Sequence, residues 1–108
     1  MKNNKLNKLE ENDLTIINHE VHDTHFSIRI KCEKADVDIW ADYSIEDEDI
    51  SMEWNKYIFF NSNKNDMRIK KFQENCNVYE IVSNVGVWYL EEKNLIAQDD
   101  SGAWFTKI

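Results

Sequence analysis

Two alternating runs, a short turn apart, set the strongest limit on what this chain can fold into. From Phe26 to Cys32, the residues Phe26, Ile28, Ile30 and Cys32 alternate with Ser27, Arg29 and Lys31. From Asp36 to Tyr43, Val37, Ile39, Ala41 and Tyr43 alternate with Asp36, Asp38, Trp40 and Asp42. Successive strand side chains point to opposite faces, so each run has one apolar face and one wet face. With Glu33–Ala35 as the turn, the pair predicts a β-hairpin whose apolar faces share a core.

The flanking segments extend this pattern. Leu14–Asn18 is short, apolar and rich in β-branched residues, which predicts a first strand. HEVHDTH, His19–His25, follows as a solvated connector. Ser44–Asp49 reads as a charged loop, and Ile50–Phe60 as a strand with Ile50, Met52, Trp54, Ile58 and Phe60 on one side. Lys56 interrupts that apolar side and predicts a bulge or a strand end. Asn61–Asp66 is a loop rich in N-cap residues, and Met67–Asn75 has helical spacing, with Ile69, Phe72 and Cys76 on one face. Val78–Ser83, Val85–Glu91, Leu95–Gln98 and Ala103–Ile108 read as a strand meander, and residues 1–13 as a short or frayed helix. The expectation is a single α+β domain of 108 residues: an antiparallel β-sheet meander of about six to seven short strands with one central helix packed on it.

Charge is the second constraint. The net charge is −8, and Asp36–Phe60 holds nearly all of it, with eight acids against one base, Lys56. This balance opposes long-range attraction to nucleic acid or to an anionic membrane and favours basic partners. The only basic stripe, Arg68, Lys70 and Lys71, is too small to offset it, so no direct nucleic-acid or membrane partner is expected. No apolar run of signal-peptide or membrane-spanning length is present, which predicts a cytoplasmic protein with Cys32 and Cys76 reduced and buried.

Catalytic chemistry finds little support. There is no G-x-S-x-G elbow, and Gly86 and Gly102, the two glycines, cannot build a phosphate-cradling loop. The acids lie in one run, where most must be solvated, so neither an enzyme nor a cofactor is expected. His19, His22 and His25, with Glu20 and Asp23 between them, are candidate metal ligands by residue type. They lack the two-histidine, four-apart metalloprotease spacing, and their flanks read as strand.

What remains is a surface. Asp36, Asp38, Trp40 and Asp42 share the wet face of one strand, with Glu53 and Tyr57 as neighbours and Glu46, Asp47, Glu48 and Asp49 beyond them. Trp or Tyr among carboxylates is the composition of an interface anchor for a basic protein, and the competing reading is a solvated sheet face. The stretch DVDIWADYSIEDEDISMEW, in a small acidic chain, resembles the small immunity proteins of bacterial toxin systems, including those of contact-dependent growth inhibition. That resemblance is one of type and implies a heterodimer with a basic cognate toxin, often a nuclease, that the domain neutralises. A phage-encoded inhibitor of a host defence nuclease, working as a DNA mimic, is the alternative, and a histidine-based metal-binding protein is a second.

Overall fold

A computed structural model describes residues 9–60 and 67–107, with side chains for all of these except 56–60 and 67–69. After a 3-10 turn at Glu11–Asp13 the chain forms β1 (Leu14–Val21), β2 (Phe26–Cys32), β3 (Val37–Glu46) and β4 (Asp49–Phe60). Two helices follow, α1 (Met67–Glu74) and α2 (Cys76–Glu92), and then a small ribbon of β5 (Ile96–Gln98) and β6 (Trp104–Thr106). The four long strands make an antiparallel sheet in the order β1-β2-β3-β4. The fold is α+β, with six strands and one principal helix among the described residues.

The core lies between this sheet and α2. Its sheet side is made by Phe26, Ile28, Ile30, Cys32, Val37, Ile39, Ala41, Tyr43 and Met52, the apolar members of the alternating runs. Ile50 and Trp54, expected in the core, are partly buried and pack against it. The bulge expected at Lys56 is present: between Ile39↔Ile58 and Ala41↔Trp54, three β4 residues face Trp40 alone. A second bulge, at Ile17, shifts the register of β1 on β2. It changes which residues face inward, so that His19 pairs with the buried Ile28 and turns toward the helix.

Three side-chain hydrogen bonds hold α2 to the sheet at separate strands. The Tyr43 hydroxyl donates to the Val82 carbonyl at 2.5 Å, and Tyr79 donates to the Met52 carbonyl on β4 at 2.8 Å. On β1, the Tyr89 hydroxyl and His19 Nδ1 are 2.6 Å apart. Trp54 completes the seam, edge-on to Tyr79 at 6.2 Å and tilted against Phe72 at 5.7 Å.

The structure corrects several sequence expectations. Val78–Ser83 and Val85–Glu91 are not strands but the 17-residue helix α2. Asn75 separates it from α1 in an extended conformation and caps it, accepting from the amides of Asn77 and Val78. The face of α1 therefore does not continue through Asn75, and Cys76 is exposed rather than buried, while Cys32 is buried. HEVHDTH is not a connector throughout, since β1 runs to Val21. Ser44–Asp49 is a tight hairpin rather than a loop, and Asp36 belongs to the turn before β3, with a φ of 55°. Of the expected N-terminal helix, Glu11–Asp13 forms a 3-10 turn and residues 1–8 lie outside the described residues, as does the loop at 61–66.

Candidate acidic interface on the β3–β4 hairpin

The face of the sheet opposite α2 carries no buried apolar residue among those described. It is built from the wet positions of the alternating strands: Ser27, Arg29 and Lys31 on β2, Asp38, Trp40 and Asp42 on β3, and Ser51 and Glu53 on β4. Cross-strand register decides what each carboxylate does. Arg29 reaches Asp38 with two parallel bonds, Nε to Oδ1 at 2.9 Å and Nη2 to Oδ2 at 2.7 Å. The Asp38 hydrogen bonds and charge raise the pKa of the Arg29 guanidinium. Asp42 accepts from the Ser27 hydroxyl at 2.8 Å and from the Asn55 amide at 3.1 Å.

These contacts sort the acids expected to bind a partner. Asp38 is neutralised within the sheet, with 17% of its side-chain surface exposed. Asp42 is oriented by the neutral donors Ser27 and Asn55, directly across from the exposed Glu53. Trp40 is half-buried rather than fully exposed, set opposite Arg29 on one side and the β4 bulge on the other. Asp36 leaves this face for the turn, and the Tyr57 side chain lies outside those described.

The acids of Glu46–Asp49 form the tip of the β3–β4 hairpin, and all four are exposed. Glu46 pairs with Asp49, so the turn has two central residues, Asp47 and Glu48, with φ of 54° and 68°. Both being left-handed is the signature of a type I′ turn, which matches strand twist and favours Asn-Gly. A left-handed backbone costs an ordinary side chain about 1–2 kcal/mol, less for Asp than for Glu. The turn is held from outside by the C-terminal ribbon, where the Trp104 amide donates to the Glu48 carbonyl at 2.9 Å.

The histidines do not form one site. His19 faces the helix and meets Tyr89, while His22 and His25 stack in the β1–β2 turn with centroids 4.5 Å apart. The Ile17 bulge separates them, because it puts His19 on the inner face. Among the described residues no group of three or more His, Cys, Asp or Glu is arranged to hold a metal ion. A cavity of about 690 Å³ lies beside His22 and His25, a feature the sequence order hides because its walls come from three separate segments. No helix among the described residues is long and apolar enough to cross a membrane. The chain matches no protein-family model, no curated protein and no solved structure.

Proposed function

We propose that this domain is a binding module rather than an enzyme, and that it docks a basic protein through the β3–β4 hairpin. The contact surface comprises the tip acids Glu46, Asp47, Glu48 and Asp49 and the adjoining face of Asp42, Glu53 and Trp40. The observation that carries the reading is the tip itself. Two side chains with carboxylates occupy left-handed positions where Asn-Gly would be easier, and a backbone bond from Trp104 holds them there. Strain kept at an exposed, charged turn points to a use for the charge, since solvation alone would be served as well by a relaxed turn.

The physics of such a contact is that of a protein that must cover phosphate-binding Lys and Arg residues. Nucleases and other nucleic-acid-binding proteins present cationic tracks, and an acidic hairpin meets them by charge while Trp40 supplies apolar contact. Neutralisation of a cognate toxin nuclease in the cytoplasm, as immunity proteins perform it, is the function this surface fits best. The DNA-mimic alternative is less well supported, because the solvated acids gather at one hairpin and Asp38 is already paired. The test is co-expression with the products of the neighbouring genes, beginning with any that is basic. Formation of a complex lost in Glu53→Gln with Trp40→Ala supports the reading, and a complex indifferent to both overturns it.

A further inference from the structure

The cavity next to the acidic tip has a chemistry of its own. It opens between the β1–β2 turn, the end of β3 and strand β6, and its polar walls include His22, Asp23, His25, Ser44, Glu46 and Thr106. Phe26 and Ile45 give it an apolar side, and among the described residues no Lys or Arg lines it. The two imidazoles are stacked with an angle of 22° between their planes, so they present flat surface rather than convergent nitrogen atoms. Their positions are fixed within the turn: the His22 amide donates to the His25 carbonyl at 2.9 Å, and Thr24 Oγ1 lies 3.1 Å from His25 Nδ1. Glu20, which does not line the cavity, stands 3.2 Å from His22 Nε2.

Flat π surface, a carboxylate and an apolar wall, with no Lys or Arg among the described lining residues, are the complement of a guanidinium. That group is planar, stacks on ring faces and bonds a carboxylate with two parallel N–H groups. A Lys ammonium uses a carboxylate as a point charge and gains less from flat stacked rings. Glu46 belongs both to the hairpin tip and to this cavity, so a cationic side chain drawn to the tip is delivered to the pocket mouth.

We infer that the cavity between the β1–β2 turn and the end of β3 receives an arginine side chain of the basic partner, stacked on the His22–His25 pair and bonded to Glu46. The inference rests on the proposed docking of a basic protein, and its test is separable from that reading. Nα-acetyl-arginine amide, with Nα-acetyl-lysine amide as control, is titrated into the whole chain and followed by NMR of backbone amides and histidine ring carbons. The expected result is saturable shifts at His22, His25, Ser44 and Thr106, with the arginine compound tighter than the lysine compound. Glu46→Gln is expected to weaken arginine binding about fivefold, the loss of one charge-assisted bond. His22→Ala, at an exposed turn position, should act in the same direction. Shifts that grow linearly without saturation, equal affinity for the two compounds, or indifference to Glu46→Gln overturn the pocket. A basic protein that docks on the hairpin and leaves the His22 and His25 signals in place also overturns it while leaving the docking surface intact. Saturable arginine binding combined with failure of any basic partner to dock supports the pocket and removes the docking reading.

Discussion

The backbone of Gly86 packs against the ring of Tyr43 too closely for any side chain. A Cβ at position 86 would stand 2.0 Å from Tyr43 Cζ and 2.1 Å from its hydroxyl oxygen. Both residues are buried, and the hydroxyl donates to Val82 one turn earlier, so the ring cannot withdraw without losing that bond. Burial raises the pKa of the Tyr43 hydroxyl. Gly in a helix ordinarily costs about 1 kcal/mol relative to Ala. Here the close approach reverses the sign. Gly86→Ala is expected to lower stability by about 2 kcal/mol in urea unfolding, through overpacking. In a Tyr43→Leu background the same substitution should cost less, and an equal cost in both backgrounds would refute the contact.

Arg29 and Asp38 form the best-made ion pair on the open sheet face. Its double bond and partial burial distinguish it from an ordinary surface pair, yet Arg29 keeps 38% of its side-chain surface in solvent. Screening at that exposure limits the gain, and Asp38→Asn is expected to lower stability by about 1 kcal/mol. The cost should shrink in an Arg29→Met background. Asp38 is therefore a poor probe of partner binding, because its loss disturbs the sheet, whereas exposed Glu53 is a clean one.

The left-handed turn at Asp47 and Glu48 makes the opposite kind of prediction. Replacing the pair with Asn-Gly supplies the residues that a type I′ turn favours. The double variant Asp47→Asn, Glu48→Gly should raise stability by about 1 kcal/mol, read as a higher urea midpoint. On the docking account it also slows partner association. Gained stability with unchanged association would mean the tip acids are solvated only.

The C-terminal ribbon responds to acid through Asp99. Its carboxylate accepts from the Ser101 hydroxyl at 2.7 Å and from the amides of Ser101 and Ala103. The Ser101 hydroxyl first, then the Ala103 amide, holds its pKa below the usual carboxylate range. A folded pKa below the unfolded one gives stability that is present above the unfolded value of about 3.9 and lost as pH falls through the folded one. NMR titration should place Asp99 below a typical Asp, with the Ser101 and Ala103 amides losing exchange protection over the same interval. An Asp99 midpoint at the ordinary value would remove the argument.

Much of the sheet was legible because its signal is local. Phe26–Cys32 alternates without a break and is β2 to the residue, and Lys56 marks the β4 bulge because a charge cannot occupy an inward position at that spacing. Helix α2 was missed for a physical reason. Val78, Tyr79, Ile81, Val82, Val85, Val87 and Tyr89 all favour strands by propensity, and Val85, Val87 and Tyr89 also alternate as a strand would. Yet Val78, Ile81, Val82, Gly86 and Leu90 are spaced for one helical face, with Asn75 in place as the cap. Periodicity over seventeen residues outweighs single-residue preference once a sheet is present to bury that face. The acidic surface was legible as composition but not as wiring. Nothing near Asp38 in sequence announces Arg29, nine residues away, because the pairing depends on the β2–β3 register. The cavity was out of reach for the same reason, since Glu46, His22 and Thr106 meet only through tertiary structure.

The most direct test of the account is the kinetics of association between this domain and a basic protein found to bind it, with the products of neighbouring genes tried first, measured across salt concentrations. The account predicts an on-rate that falls steeply as the Debye length shrinks from about 10 Å at 0.1 M to about 3 Å at 1 M. It also predicts a slower on-rate in Glu53→Gln, and an affinity reduced about 30-fold in Trp40→Ala by a faster off-rate, the behaviour of an interface anchor worth about 2 kcal/mol. Association that is indifferent to salt, and unchanged in both variants while the fold is retained, would contradict it.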